Sequence, residues 1–107
     1  MPEEFGGQGA DALAAVIIIE EVARVCGASS LIPAVNKLGS VPLLIGANVE
    51  QKKKYLIPLA QGKKLGAYCL TEPMSGSDAA TQKTSAKLEG DHYVINGAKN
   101  WITNGPQ

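Results

Sequence analysis

The sequence predicts an α+β fold, in which a partial helical domain is followed by the first strands of an antiparallel β domain. Up to residue 65, apolar residues recur at helical spacing between residues that cap or end helices. After Gly66, apolar and polar residues alternate, and the turn residues are those of β hairpins. We therefore expect a partial helical domain at residues 1–65 and the start of a β domain at residues 66–107.

The first two predicted helices follow from capping residues beside apolar runs. Asp11 is the expected N-cap of a helix that runs through ALAAVIIIEEVARVC and ends at Gly27. A second helix is expected at residues 31–38, with Ser30 as its cap and Gly39 as its end. The segment SVPLLIG then repeats the same pattern on a smaller scale.

A third clear helix is predicted to begin after Asn48. Gln51 stands at the reciprocal position of a capping box, and the helix carries VEQKKKYLIPLA to a stop at Gly62. Its three consecutive lysines, residues 52–54, are expected to form a solvated side.

Four strands are predicted in the second part of the chain. They are GAYCLT at residues 66–71, TSAKLE at 84–89, HYVI at 92–95 and AKNWITN at 98–104. The first has the composition of a buried strand, and the second alternates in polarity along its length. EGD is the expected turn between the second and third strands, and Asn96 with Gly97 forms a strong hairpin signal before the fourth.

The composition narrows the class of protein. The chain has 107 residues, 45% of them hydrophobic, and no net charge, which describes a soluble globular chain and does not suggest a nucleic-acid binder. The longest apolar run, LAAVIII, is too short to span a membrane, and no signal pattern precedes it. Cys26 and Cys69 lack the spacing of a disulfide framework or a metal site, so we expect buried thiols in the cytoplasm.

A few residues suit a flat ligand whose edge carries heteroatoms. Period two in the last predicted strand places Trp101 and Thr103 on one face and Ile102 on the other. The indole offers a surface for a ring, and the hydroxyls of Thr71 and Ser77 could bond to its rim. These residues alone favour a plainer reading, with Trp101 in the core, Thr103 facing solvent and an ordinary turn at TEPMSGSD.

Longer stretches of the chain resemble the acyl-CoA dehydrogenase family. They are PEEFGGQGAD, IEEVARVCGASS, EQKKKYLIPLAQGKKLGAYCLTEPMSGSDAA and KTSAKLEGDHYVINGAKNWITNG. Two family signatures occur among them, the E-P-x-x-G-S-D loop and the N-G-x-K-x-W-I-T-N segment. Met74 and Ser75 depart from the pattern, since the family more often has glycine and a small residue there. The resemblance implies part of the family's helical amino-terminal domain and the start of its middle β domain.

The resemblance also implies non-covalent FAD as the cofactor and acyl-CoA as the substrate. The cofactor-binding residues that it implies are Tyr68, Leu70, Thr71, Gly76, Ser77, Trp101, Ile102 and Thr103. Thr71 is expected at the pyrimidine side of the flavin ring, and the Thr103 hydroxyl is expected to reach flavin N5. Ser77 is also expected near the thioester of the substrate.

The implied reaction is the α,β-dehydrogenation of a fatty acyl-CoA to a trans-2-enoyl-CoA. The family's base is a glutamate that would lie beyond Gln107, so we expect no catalytic residue in this chain and a structural role for Glu72. The chain is therefore interpreted as a fragment that is inactive alone. For the full-length enzyme, the resemblance implies electron-transfer flavoprotein as acceptor and a homo-oligomer.

Two alternatives remain open at this point. An acyl-CoA oxidase would use the same flavin-holding residues and differ in its electron acceptor. A non-catalytic helical and β piece that assembles with a partner subunit is the other alternative.

Overall fold

The structure, a computed structural model, describes residues 1–106 as two compact units. The first comprises Met1–Tyr68 and the chain from Asn104 onward, and the second comprises Cys69–Thr103. The first unit contains three α-helices, α1 at Ala12–Val25, α2 at Leu31–Gly46 and α3 at Val49–Ala60. The second contains an antiparallel pair of strands, β1 at Ser85–Glu89 and β2 at His92–Asn96. The predicted α+β fold is confirmed.

Helix α1 begins and ends close to the predicted positions. The Asp11 side chain accepts a hydrogen bond of 2.8 Å from the Ala14 amide. This bond satisfies one of the amides that a helix leaves unpaired in its first turn. At the other end, the Cys26 amide donates to the Val22 carbonyl, and the chain then leaves the helical conformation.

Helix α2 is longer than predicted, since it runs without interruption through Gly39 and Pro42. The expected stop at Gly39, with a separate element at SVPLLIG, is therefore wrong. The expected Ser30 cap is wrong as well, because the Ser30 hydroxyl donates to the Gly27 carbonyl at 2.6 Å and makes no capping bond. A Cβ atom at Gly39 would lie 3.3 Å from the main chain of Gly66, which is tighter than ordinary contact. Gly39 thus allows the main chain at Gly66 to lie close to α2. The local sequence pattern cannot distinguish this role from that of a glycine that ends a helix.

Helix α3 has the predicted capping box. The Gln51 amide donates to Asn48 Oδ1 at 2.8 Å, and the Asn48 amide donates to Gln51 Oε1 at 3.0 Å. The helix ends at Ala60, and Gly62 follows with a φ of +67°, a conformation that glycine adopts without steric cost. Leu56, on this helix, is fully buried and forms the centre of the core of the first unit.

The EGD turn and the two strands beside it are confirmed. The register pairs Glu89 with His92 and Ser85 with Asn96. Gly90 has a φ of +65°, which explains the glycine in this turn. Most side chains of the hairpin are exposed, and Val94 is half-buried.

The predicted strands at residues 66–71 and 98–104 are absent from the described structure. In the first unit, both main-chain polar groups of Gly66 are bonded to side chains. Its amide donates to Asn36 Oδ1 at 2.9 Å, and its carbonyl accepts from Asn104 Nδ2 at 2.9 Å. These bonds to side chains take the place of the main-chain hydrogen bonds that a strand would make with a neighbouring strand. The prediction of a fourth strand, and of a hairpin at Asn96 and Gly97, is likewise wrong.

Both cysteines are exposed, so the expected burial of the two thiols is wrong. Cys26 lies just past the end of α1, at its C-cap position. Cys69 lies in the segment that was predicted as a buried strand and does not form one.

The helical unit has an open apolar cavity of about 450 Å³. Its apolar lining comes from three helices and includes Ile18, Ile19, Val41, Leu44 and Leu59. Among residues 1–106, no helix is both long and apolar enough to cross a membrane.

Candidate functional site

The TEPMSGSD segment is a tight turn that is closed by its own main chain. The Glu72 amide donates to the Ser75 carbonyl at 2.9 Å, and the Ser75 amide donates back at 3.1 Å. The Ser75 hydroxyl continues the structure by donating to the Asp78 carbonyl at 2.8 Å. Met74 lies at the tip with 86% of its surface exposed, so an unusual side chain at this position meets no packing constraint.

The carboxylate of Glu72 is buried, with only 6% of the residue exposed. It accepts hydrogen bonds from the Lys83 amide at 2.6 Å, from the Thr84 amide at 3.0 Å and from Lys99 Nζ at 2.9 Å. The Lys99 ammonium first, and then the hydrogen bonds from Thr84 and Lys83, lower the pKa of Glu72 to about 2. A carboxylate held in this way stays ionised and anchors the turn.

Lys99 connects the turn to the segment that precedes it. Its ammonium donates to the Leu70 carbonyl at 3.0 Å as well as to Glu72. The Leu70 carbonyl accepts a second hydrogen bond of 2.9 Å from Gln82 Nε2. Beside it, the Thr71 carbonyl accepts a bond of 2.8 Å from the Asn100 amide. Residues 70–72 and residues 99–100 are therefore joined by both side-chain and main-chain bonds.

These bonds bring together the two sequence motifs of the second unit. Leu70 and Thr71 precede the turn, and Asn100 directly precedes the W-I-T segment. Leu70 is 37% exposed and Thr71 is half-buried. Both residues therefore combine a fixed main chain with side-chain surface that a ligand can contact.

Trp101 has an unusual backbone and an unusual exposure. Its φ is +59°, in the left-handed region that bulky residues rarely adopt, and 91% of its surface is exposed. The expected extended strand, with Trp101 and Thr103 on one face, is wrong because this backbone interrupts the alternation. The alternative of a core Trp101 is also excluded. An exposed aromatic residue on a strained backbone is typical of functional segments.

The remaining predicted site residues occupy different surroundings. Gly76 and Ser77 are exposed beyond the turn, and a Cβ atom on Gly76 would meet open space. Ile102 is half-buried and Thr103 is exposed. Tyr68 is half-buried and belongs to the first unit.

Sequence reasoning missed the residues that hold this arrangement. Lys99, Gln82 and Asn100 were not singled out, and the anchor role of Glu72 was expected only in general terms. The one signal in the sequence was the place of Lys99 inside the N-G-x-K-x-W-I-T-N segment, and in the structure its side chain is only 20% exposed. Its partners are distant in the sequence, so no local pattern names them.

Known proteins match nearly the whole length of the chain. Residues 1–63 match the model of the acyl-CoA dehydrogenase amino-terminal domain, and residues 67–107 match the model of the middle domain. "Probable acyl-CoA dehydrogenase fadE25" of Mycobacterium bovis is 55% identical over 105 residues, which are 98% of this chain and 27% of that protein. The chain thus spans about a quarter of the length of this curated relative.

Solved structures share the same fold. An acyl-CoA dehydrogenase from Bacillus anthracis, complexed with FAD, superposes with a TM-score of 0.88 and 47% identity over 99% of this chain and 19% of that chain. A structure described as the electron transferring flavoprotein of Acidaminococcus fermentans superposes with a TM-score of 0.92 and 43% identity. That match covers 98% of this chain and 28% of the other.

Proposed function

Because this chain belongs to the acyl-CoA dehydrogenase family, we propose that it supplies part of an FAD-dependent acyl-CoA dehydrogenase. Its share would be the helical amino-terminal segment and the start of the flavin-binding β domain. The full-length protein would convert a fatty acyl-CoA to a trans-2-enoyl-CoA. The observation that carries this proposal is the 2.8 Å bond from the Asn100 amide to the Thr71 carbonyl, which joins the N-G-x-K-x-W-I-T-N segment to the residue just before the E-P-x-x-G-S-D turn.

The residues of the second unit fit a flavin ring in their chemistry. Trp101 exposes a flat apolar surface, and Ser77 and Thr103 expose hydroxyl groups that can donate to ring nitrogens and oxygens. Gly76 leaves its main chain open to close approach. We assign the cofactor contacts to Leu70, Thr71, Gly76, Ser77, Trp101, Ile102 and Thr103, and the role of Tyr68 stays a prediction from the sequence.

Bound FAD would supply the hydride acceptor for the reaction. The residues of this chain would orient the ring and the substrate. In this proposal the Thr71 and Thr103 hydroxyls bond to the ring edge, and Ser77 lies near the thioester. Their hydrogen bonds would stabilise negative charge as it develops, which is the usual contribution of fixed donors.

Glu72 is unsuited to act as the base that removes the α proton. Three donors occupy its carboxylate, and its pKa of about 2 makes it a weak proton acceptor at neutral pH. We therefore propose that a carboxylate outside this chain removes the proton, as the family resemblance implies.

We further propose electron-transfer flavoprotein as the electron acceptor and a homo-oligomer as the assembled enzyme. The family resemblance supports the choice of acceptor, and a structure described as the Acidaminococcus fermentans electron transferring flavoprotein contains a chain with the fold of this one. Oxygen consumption by the full-length protein would instead favour the oxidase alternative.

The proposal can be tested with the full-length protein that carries this chain. We expect the purified protein to contain FAD, and we expect fatty acyl-CoA to bleach the flavin absorbance under anaerobic conditions. Separating the enoyl-CoA product by chromatography would identify the reaction. A folded full-length protein that neither contains nor takes up FAD would contradict the proposal.

A further inference from the structure

We propose that Glu72 and Lys99 are positioning residues for the flavin, with Gln82 supporting the same main-chain segment. This inference rests on the proposed function, since it concerns how the two flavin-contacting segments of the second unit are held in register. Lys99 bonds to the Leu70 carbonyl and the neighbouring Asn100 amide bonds to the Thr71 carbonyl, so the pair acts through this main chain.

The geometry makes Lys99 the centre of the arrangement. One ammonium group bonds both to the Glu72 carboxylate at 2.9 Å and to the Leu70 carbonyl at 3.0 Å. A shift of either acceptor would break one of these bonds. The Asn100 amide, on the next residue, holds the Thr71 carbonyl at 2.8 Å. Lys99 therefore fixes the main-chain position of the segment before the turn relative to the start of the W-I-T segment.

Glu72 ties the same centre to the chain that enters β1. Its carboxylate accepts from two successive amides, of Lys83 and Thr84, while Lys99 occupies the third bond. Gln82, one residue earlier, donates to the Leu70 carbonyl at 2.9 Å. Two separate stretches of the second unit, residues 82–84 and residues 99–100, thus converge on residues 70–72.

The burial of the pair favours a positioning role over a stabilising one. The Lys99 and Glu72 side chains are only 20% and 5% exposed. Taking two charges out of water has a desolvation cost that often cancels their attraction, so apolar side chains can stabilise a protein equally well. A charged pair with directional bonds fixes the geometry more narrowly, and a ring held by hydrogen bonds at its edge needs that geometry to within about 0.5 Å.

The test compares FAD binding by the full-length protein and three of its variants, Lys99→Met, Glu72→Gln and Gln82→Met. We expect Lys99→Met and Glu72→Gln to raise the FAD dissociation constant about tenfold or more. We also expect both substitutions to shift the visible flavin absorption band. The matched control is Lys87→Met, which removes a lysine from an exposed ion pair with Glu89 in the same unit. We expect the control to bind FAD like the wild type and to keep its spectrum.

The flavin spectrum separates positioning from a merely structural role. A structural role predicts a lower melting temperature with an unchanged spectrum and affinity well below that temperature. If Lys99→Met and Glu72→Gln do not fold, Gln82→Met still distinguishes the two roles. It removes one hydrogen-bond donor to the Leu70 carbonyl and leaves the buried ion pair in place. We expect it to weaken FAD binding about threefold.

Unchanged FAD affinity and an unchanged flavin band in folded Lys99→Met and Glu72→Gln proteins would overturn the positioning role. If only Gln82→Met folds, a wild-type FAD affinity and flavin band in this variant would also overturn the positioning role. Either result, with FAD bound to the wild type, leaves the proposed function intact. A wild-type protein that takes up no FAD would overturn both proposals.

Discussion

The Lys99 ammonium lies 2.9 Å from the Glu72 carboxylate, although the two side chains are only 20% and 5% exposed. The two residues are 27 positions apart, one in each family motif. Their contact is the point at which the E-P-x-x-G-S-D turn and the N-G-x-K-x-W-I-T-N segment become one structure.

The first prediction concerns the stability of the folded protein at low pH. The folded-state pKa of Glu72 is about 2, below the ordinary value of 4.5, because Lys99 and the amides beside it favour the carboxylate. The stabilisation is therefore fully present above the unfolded pKa and is lost as the pH falls through the folded pKa. We expect the urea midpoint of the wild type to fall between about pH 5 and about pH 2. Glu72→Gln should make this pH dependence shallower.

The control for this measurement is Glu89→Gln, which alters an exposed ion pair with Lys87. This variant should keep the wild-type dependence on pH, since exposed pairs contribute little. If the urea midpoint changed equally with pH in the wild type and in Glu72→Gln, Glu72 would not be ion-paired in the folded state.

The second prediction concerns the glycines of α2. Gly39→Ala places a methyl group 3.3 Å from the main chain of Gly66, and crowding of about 2 kcal/mol is expected to outweigh the helix-propensity gain of alanine and to lower stability by about 1 kcal/mol. Gly46→Ala is the matched control, because a Cβ atom there meets nothing within 4 Å. The control should raise stability by up to about 1 kcal/mol, since alanine is the better helix former.

Thermal unfolding followed by circular dichroism measures both effects. A lower melting temperature for Gly39→Ala and a higher one for Gly46→Ala are expected. Equal gains in the two variants would mean that Gly39 makes no close contact with Gly66.

The third prediction separates stability from cofactor binding at Trp101. Since 91% of its surface is exposed, Trp101→Ala should change stability by less than about 0.5 kcal/mol. Because the φ of this residue is +59°, Trp101→Gly should be about 1 kcal/mol more stable than Trp101→Ala. Both variants of the full-length protein should bind FAD about tenfold more weakly, because the ring surface is lost.

Denaturant unfolding and flavin fluorescence titration measure the two quantities. Leu56→Ala is the contrasting control, since Leu56 is fully buried and its truncation should cost about 2 to 5 kcal/mol. Wild-type FAD affinity in both Trp101 variants would remove this residue from the proposed site.

The fourth prediction concerns the 107-residue chain by itself. Its helices expose Leu13, Val16 and Ile17, and its hairpin exposes Tyr93 and Ile95. Exposed apolar surface and unpaired strand edges favour association between copies. We expect the isolated chain to bind a hydrophobic dye, to aggregate in size-exclusion chromatography and to bind FAD poorly. A monodisperse, yellow preparation would contradict this prediction.

The local elements show how far a sequence can be interpreted. Asp11, Asn48 with Gln51 and the EGD turn were predicted from the chain and confirmed, because each acts through bonds to residues no more than four positions away. The same local reasoning failed at Gly39, where the residue type fits both a helix end and a close contact. It also failed at residues 66–71, whose composition suits a strand but whose main chain bonds to side chains.

The caps of α1 and α3, the hairpin turn, the fold class and the family follow from the sequence, since these depend on residue types at short spacing and in recognisable motifs. The tertiary structure alone decided that Glu72 is buried against Lys99 and that Gly66 is held by Asn36 and Asn104. These contacts join residues 27, 30 and 38 positions apart. Hydrogen bonds over such distances depend on how the chain packs, and local spacing carries no information about their partners.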